Sequence, residues 1–288
     1  MVALTLLLGG CAVRRTTVVS PSAVPPPPVE TSAESLIERL NAQRDAIRTL
    51  SATVELEPTA GSVYSGVIKQ YHDVRAFVLL QSPDLIRMIG QAPVVRTTIF
   101  DMASDGKEFQ VWVPSKAKFI VGSTAAGANA KNSLENLRPQ HILDALLVPK
   151  FDPAAEAVFL NQERDAGRVY DVLNVALAES GAQGPARLRL ERRVWFDGAS
   201  LEVVRVEYYG EKGALTEDVR YSAYQDYQGV RYPSRIELER PAEDYSLGIA
   251  VQKAAFNQPI EAAKFVLAKP AGAEEVRVGG GGEGGSGE

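Results

Sequence analysis

Few residues of the sequence have the types and spacings of a catalytic, metal-binding or cofactor-binding site. There are two histidines, His72 and His141, and neither has a second histidine or a cysteine at metal-ligand spacing. The glycines between positions 122 and 127 lack the lysine and the strand-turn-helix setting of a phosphate-binding loop. No nucleophile elbow or dinucleotide-binding fingerprint is present. The sequence therefore predicts no cofactor, no metal site and a protein that is not an enzyme.

Two groups of residues leave other interpretations open. Carboxylates are plentiful on alternating strand positions and in turns, where solvated charge is the ordinary role, and a hydrolase built on paired carboxylates is the alternative. Tyrosines cluster in the second half of the sequence, where they either line a ligand site or pack between strands. These tyrosines are Tyr208, Tyr209, Tyr221, Tyr224, Tyr227 and Tyr232.

Composition and net charge indicate which kinds of molecule the protein is expected to bind. Apolar residues make up 45% of the 288 residues, which is enough to build a substantial core. The formal net charge is −5, so there is no electrostatic reason to expect a nucleic acid.

The single cysteine, Cys11, follows a short apolar run. Residues 2–8 are too few to span a bilayer, which needs roughly 20 apolar residues, but they have the length of a signal peptide's apolar region. Leu8-Gly9-Gly10-Cys11 resembles the bacterial lipobox, although no Lys or Arg precedes the run. The resemblance implies removal of residues 1–10 as a signal peptide and attachment of lipid at Cys11. A cytosolic protein with a chance cysteine is the alternative.

The segments that flank the main body of the sequence have a biased composition. Residues 11–30 form the lipidated N-terminus and a tether whose four prolines, 25–28, favour a semi-rigid spacer. Residues 279–288 are almost all Gly, Ser and Glu and are predicted to be disordered. Ala12 follows the cysteine in place of Asp, which by resemblance to lipoprotein sorting predicts the outer membrane, facing the periplasm.

Between these segments, residues 31–278 are predicted to form a single domain. Thr31-x-x-Glu34 has the form of a capping box before an amphipathic helix, and Pro139 opens a second, short helical segment. In the rest of the domain, apolar and polar residues alternate with a period of two, which predicts strands that include Val63–Tyr71 and Val94–Met102. Asp105-Gly106 is predicted to form a hairpin turn between two of the strands. There is no βαβ alternation. The pattern predicts a mainly β fold with flanking helices, in which an incomplete antiparallel β-barrel is covered by a helical lid.

Three short motifs carry a resemblance to a known family. They are Leu50-Ser51-Ala52-Thr53-Val54-Glu55-Leu56, the Asp105-Gly106-Lys107 hairpin that leads to Trp112-Val113-Pro114, and a closing Phe265-x-x-x-x-Pro270-x-Gly272. From Thr31 to Gly272 the sequence resembles the Lol lipoprotein-carrier superfamily, which includes LolA and the anchored acceptor LolB. The resemblance implies an unclosed barrel that holds acyl chains of a lipid or lipoprotein and transfers them non-covalently. The lipobox makes LolB the closer analogue.

Two sets of residues follow as candidate sites. The predicted acyl-chain cavity is lined by inward apolar residues, which are Val54, Leu56, Phe77, Leu79, Ile99, Val111, Val204 and Val206. The segment from Leu85 to Ile89 has apolar residues of both parities, so it is either buried on both faces or exposes Ile86, Met88 and Ile89 to a membrane or client. A structural outer-membrane lipoprotein with a filled barrel and no lipid cargo is the alternative to a carrier.

Overall fold

The computed structural model describes residues 26–60, 69–70, 74–124, 139–179 and 187–278. The elements in chain order are α1 (Ala33–Asp45), β1 (Thr49–Ala60), β2 (Lys69–Gln70), β3 (Val74–Gln81), β4 (Leu85–Gln91), β5 (Thr98–Ser104), β6 (Glu108–Val113), β7 (Lys118–Ser123), α2 (Pro139–Leu146), β8 (Glu156–Asp165), β9 (Arg168–Glu179), β10 (Arg187–Asp197), β11 (Val203–Tyr209), β12 (Leu215–Tyr227), β13 (Val230–Arg240), β14 (Tyr245–Phe256) and β15 (Glu274–Val278). Single turns of 3-10 helix cover Pro114–Lys116, Pro241–Glu243 and Ala262–Phe265.

Within the described residues all strands belong to one sheet. Its order is β15-β7-β6-β5-β4-β3-β1-β14-β13-β12-β11-β10-β9-β8, and β2 pairs beside β1. Neighbouring strands are antiparallel except for β15, which runs parallel to β7. The end strands β15 and β8 do not pair with each other, so the barrel is open. The predicted mainly β, incomplete barrel with two helices is confirmed.

The sheet has one face that packs against both helices, and we call it the inner face. Leu36 and Leu40 of α1 and Ile142 and Leu146 of α2 join the inner strand residues in one hydrophobic core. A smaller apolar cluster, Ala103, Phe119 and Leu267, lies separately, where the segment after β14 packs against β5 and β7. The inner face is therefore the side on which a ligand cavity would have to form.

The first helix begins one residue later than the sequence pattern indicated. Ser32 is the N-cap, and its hydroxyl accepts a hydrogen bond from the backbone N–H of Ser35 at 3.3 Å. The predicted capping box at Thr31 and Glu34 was therefore wrong by one position. Serine is the better N-cap of the two residues, and Ser32 has the extended backbone conformation that an N-cap residue adopts.

The predicted Asp-Gly hairpin between β5 and β6 is confirmed. The Asp105 carboxylate accepts hydrogen bonds from the backbone N–H groups of Lys107 at 2.9 Å and Glu108 at 2.8 Å. Gly106 has a φ of +85°, a conformation that favours glycine because it has no Cβ. These backbone bonds also lower the pKa of Asp105, since they stabilise its charged form.

The predicted strand Val94–Met102 starts too early. β5 begins at Thr98, and Val94 and Val95 lie in the preceding turn, where they are 89% and 71% exposed. Pro93 supplies no backbone N–H to a ladder, and Arg96 adopts a φ of +52°, so the chain turns here despite two strand-favouring valines.

Several predictions fall outside the described residues. These are the signal peptide 1–10, the lipid attachment at Cys11 and the tail 279–288. Of the predicted strand Val63–Tyr71, the described part is Lys69–Gln70, which forms β2.

Candidate functional site

Four of the eight predicted cavity residues lie on the inner face. Val54, Leu56, Val111 and Val206 are all buried in the main core. Val54 pairs with Ala76 of β3, and Val206 pairs with both Val194 and Val219, so each belongs to a continuous inner row that crosses several strands. These residues form part of the wall beneath the helices.

Phe77 and Leu79 do not face inward, which corrects the prediction for β3. Phe77 is 38% exposed and Leu79 is half-buried, whereas Ala76, Val78 and Leu80 are buried. β3 has apolar residues at both odd-numbered and even-numbered positions, so alternation alone does not determine its inner face. The pairing with β1 does, because it sets Ala76 opposite the inward Val54.

Ile99 and Val204 are also misassigned, and both lie at β-bulges. The register of β4 against β5 passes from Gly90–Phe100 to Gln91–Thr98, which leaves Ile99 without a partner on β4 and 37% exposed. The register of β10 against β11 passes from Trp195–Arg205 to Phe196–Val203, which leaves Val204 as the extra residue. A bulge shifts the parity of the strand, so neighbouring residues take the inner positions.

The space between the helices and the sheet is almost filled. An apolar cavity between α1, α2 and β12–β13 has a volume of about 20 Å³, which is close to the room one water molecule needs. We call its lining the apolar seam, formed by Leu40, Gln43, Arg44, Ile47, Leu146, Leu147, Val148, Tyr221, Tyr224, Tyr232 and Pro233.

Three of the clustered tyrosines line the apolar seam. The Tyr232 hydroxyl donates to the carbonyl oxygen of Leu146 at 2.8 Å, and the Tyr224 hydroxyl donates to that of Val203 at 2.7 Å. The Tyr221 hydroxyl is buried and has no hydrogen-bond partner. Burial raises the pKa of all three phenols. The three tyrosines thus pack into the core and surround this cavity.

A larger polar groove adjoins the seam. It has a volume of about 390 Å³ and shares Arg44 and Leu147 with the seam. The Arg44 guanidinium donates to Ser82 Oγ at 2.7 Å and to the Pro83 carbonyl oxygen at 3.1 Å, which fixes it at the boundary between the two spaces. The groove is lined by Arg44, Asp45, Ser82, Pro83, Asp84, Gln140, Leu143, Asp144, Leu147, Pro149 and Lys150.

Polar residues join α2 to the sheet in what we call the lid–sheet cluster: His141 and Asp144 of α2, Glu217 of β12 and Arg240 of β13. His141 Nδ1 lies 3.0 Å from Arg240 Nη1 and 3.2 Å from Glu217 Oε2. Arg240 also pairs with Glu217 and, through two nitrogens, with Glu243. One histidine therefore links the lid to an ion pair that belongs to the sheet.

Among the strands that the structure describes, Asp144 has no such partner. Its Oδ1 accepts a hydrogen bond from Gln140 of the same helix at 2.9 Å. Burial, with smaller contributions from the carboxylates of Glu217 and Asp84, raises the pKa of Asp144 from 3.8 to about 6, although Gln140 and His141 act in the opposite direction. α2 thus carries into the polar groove a half-buried carboxyl group for which the described residues provide no ion pair.

The opposite face of the sheet has a denser polar group, which we call the outer cluster: Arg193, Trp195, Arg205, Glu207 and Asp218. Trp195 Nε1 donates to Glu207 at 2.7 Å, and Arg193 and Arg205 stack on the indole ring at 4.7 and 5.3 Å from its centroid. Arg205 donates two hydrogen bonds to the Asp218 carboxylate, at 2.7 and 2.8 Å. Both carboxylates are thus engaged by arginines, which is the pattern of a structural network.

Ile86 and Met88 are not available to a membrane or client in this structure. Both are fully buried on the inner face of β4, while Leu85, Arg87 and Ile89 are half-buried on the other face. The segment is therefore buried on its inner face and half-buried on the other. The exposed apolar residues nearest to it in the chain are Val94 and Val95, in the turn that follows β4. They were assigned to a strand because valine favours strands.

Two further findings concern the described residues as a whole. No group of three or more His, Cys, Asp or Glu side chains in the described ranges could hold a metal ion. None of the described helices combines the length and the apolar character needed to cross a membrane.

An open antiparallel sheet whose inner face is covered by two helices is the architecture of LolA-like proteins, and solved structures bear out this likeness. A DUF1329 family protein from Desulfovibrio piger superposes with a TM-score of 0.53 at 14% identity, over 80% of this chain and 94% of that one. A LolA superfamily protein from Nitrosomonas europaea gives 0.52 at 14% identity, over 83% and 99% of the two chains. An outer membrane lipoprotein-sorting protein domain from Vibrio parahaemolyticus gives 0.51 at 14% identity, over 80% and 94%.

At these identities the likeness is one of fold. No protein-family model matches the sequence, and no curated protein is similar to it at the level of sequence. The expected LolA/LolB-like fold is confirmed.

Proposed function

We propose that this protein is a carrier or acceptor that encloses acyl chains of a lipid or lipoprotein between its sheet and α2, and releases them without covalent chemistry. The observation that carries the proposal is the build of the inner face. It is an extended apolar wall covered by α1 and by α2, and α2 is a helix of only eight residues whose own inner side is apolar. A cover of this size can leave the wall without disturbing the sheet that forms it.

The nearly filled seam defines what binding requires. The apolar seam, at about 20 Å³, holds no acyl chain, and the larger groove beside it is polar, so α2 must move away from the apolar wall for a chain to enter. Each CH₂ group that then leaves water for the wall gains about 0.8 kcal/mol. A chain of moderate length therefore offsets the loss of the apolar contacts that α2 makes when it is closed.

The neighbouring structures support the same class of ligand. One is named as a LolA superfamily protein and another as an outer membrane lipoprotein-sorting domain. Together with the lipobox-like Cys11, they support an anchored protein of the bacterial envelope, at the outer membrane and facing the periplasm. In this proposal the chemistry is transfer alone, and the protein is not an enzyme.

A second function is favoured by a specific observation. The small volume of the apolar seam is also what a structural lipoprotein with a permanently filled barrel would have. The two functions differ in whether α2 has to move.

Locking α2 tests this difference. In a Cys11→Ser background, Gln140→Cys and Asp84→Cys place thiols on two sides of the polar groove, one on α2 and one on the β3–β4 turn. We expect the reduced protein to bind a fluorescent fatty acid saturably, near one per chain, and the protein joined by a short bis-maleimide to lose that binding. The two single-cysteine variants, treated with the same reagent, are the controls. No binding by the reduced protein supports the filled barrel, and equal binding by the joined protein shows that α2 is not the cover.

The contact with a membrane or client is reassigned to the turn after β4. Val94→Glu should leave the free energy of unfolding within about 0.5 kcal/mol of the parent, because the side chain is exposed, but should reduce transfer of the fatty acid to vesicles. Met88→Glu is the contrasting variant, since a buried unpaired charge should cost several kcal/mol in urea unfolding. Unchanged transfer by the Val94 variant would remove this turn from the proposal.

A further inference from the structure

The lid–sheet cluster is unusual in its charge balance. Glu217 forms an ion pair with Arg240, and Arg240 also forms an ion pair with Glu243. Asp144 lies on the same side of α2 as His141, but its one hydrogen bond goes to Gln140 of its own helix. Within the described residues, α2 therefore carries a carboxyl group that no cation of the sheet neutralises.

From this arrangement we infer that α2 is a pH-controlled cover, held on the sheet at acidic pH and released towards neutral pH through Asp144. The inference rests on the proposed function, because it names the regulation of the same site. It follows from where α2 places Asp144, which lines the polar groove together with Asp84 and lies one helical turn from His141, the residue that contacts Glu217.

The groups that face Asp144 come from every element around it. Gln140 and His141 lie on α2, Glu217 on β12, Asp84 in the turn between β3 and β4, and the buried Tyr208 on β11. Arg44 of α1 also interacts with it, and Lys150 lines the same groove but pairs with Asp45. Asp144 thus faces two carboxylates, a buried phenol and one cation, Arg44, whose hydrogen bonds go to Ser82 and Pro83.

The direction of the pH effect follows from the proton balance. With α2 closed, the pKa of Asp144 is raised from 3.8 to about 6, so the closed form binds a proton in a range where an exposed carboxyl group does not. Protonation of Asp144 contributes its full effect to the closed-to-open ratio below about pH 4. This contribution is lost as the pH rises to about 6, and above that pH it changes no further. The difference between 3.8 and about 6 corresponds to a change on the order of 100-fold in the closed-to-open ratio.

His141 has a different role in the same cluster. A neutral imidazole accepts a hydrogen bond from Arg240 at Nδ1, and a protonated one donates from Nδ1 to Glu217. The link between lid and sheet therefore exists in both states of the ring. His141→Gln should loosen α2 at every pH and leave the pH dependence in place.

Hydrogen exchange of the unmodified chain, without ligand, tests the inference. The reporters are the backbone amides from Leu143 to Leu147, converted to protection factors to remove the intrinsic effect of pH. We expect protection of α2 to fall by on the order of 100-fold between pH 4 and pH 7, relative to amides of β1 and β14. Asp144→Asn should keep high protection at both pH values, and Asp165→Asn, an exposed turn acid, should behave like the parent.

The outcomes separate the switch from the proposed function. A pH-independent protection of α2 in the parent, or an unchanged pH dependence in Asp144→Asn, overturns the switch. If the exchange behaves as expected but no fatty acid binds at pH 4 or pH 7, the switch stands and the carrier function fails. If fatty acid binds equally at both pH values and α2 exchange does not respond, the carrier stands without the switch.

Discussion

The outer cluster and the lid–sheet cluster are two ways of placing charge against the same sheet. In the outer cluster, Glu207 accepts a hydrogen bond from Trp195 and forms ion pairs with Arg193 and Arg205. Its buried groups therefore have partners on a neighbouring strand. In the lid–sheet cluster, the hydrogen bond that Asp144 accepts from the described residues comes from Gln140 of its own helix. The outer cluster ties strands that must stay together, whereas the lid–sheet cluster joins two parts that the proposed function requires to separate.

The largest effect should come from opening the outer cluster. Glu207→Ala leaves two arginines short of a partner and the indole N–H of Trp195 without an acceptor, which should cost about 3 kcal/mol in the free energy of unfolding. Urea unfolding measures this. Glu207→Gln keeps an oxygen acceptor for the indole and should lose less. A cost below about 1 kcal/mol for the alanine variant would mean that the network is not structural.

A smaller effect should follow from removing one neutral hydrogen bond at the lid. Tyr232→Phe deletes the hydroxyl that donates to the Leu146 carbonyl, worth about 1 kcal/mol, or about a fivefold loss of protection in α2 amides. Tyr224→Phe deletes a bond of similar length to Val203 and serves as the matched control. If both variants change α2 to the same extent, the lid is not an independent unit and the comparison between the two clusters fails.

The smallest effect is expected at the exposed edge of the outer cluster. Arg220 reaches Asp218 at 3.1 Å but is itself exposed, so Arg220→Ala should cost no more than about 0.5 kcal/mol, and less at high salt. Arg205→Ala removes the better buried, two-nitrogen partner of the same carboxylate and should cost clearly more. Thermal unfolding at two salt concentrations compares the two variants, and equal costs would show that burial does not set the strength of this network.

The order of the elements was predictable from the sequence because it depends on local periodicity. The helices, the Asp105-Gly106 turn and the strand β6 follow from capping residues, turn residues and alternation. β15 was missed because its pairing with β7 is parallel and brings together residues about 150 positions apart. Nothing within Glu274–Val278 itself indicates that partner.

The candidate site was predictable only where one face of a strand is apolar. Val54 and Leu56 alternate with polar residues, and their inward direction was assigned correctly. Phe77 stands on a strand that is apolar on both faces, and Ile99 and Val204 lie at bulges that shift the parity. The lid–sheet cluster was missed because His141 and Asp144 find their surroundings across more than 70 residues of sequence, on strands β12 and β13.

The pairing of β1 with β14 has a consequence for how the chain reaches this structure. β1 pairs with β3 on one side and with β14 on the other, and β14 begins almost 200 residues later. During synthesis, β1 therefore has one neighbour long before the other exists, and its second edge stays unsatisfied until most of the chain has emerged. Such late closure of a distant pair slows folding and leaves an edge open to other strands in the meantime. The nascent chain thus has its greatest need of protection from aggregation just before its last long strand is made.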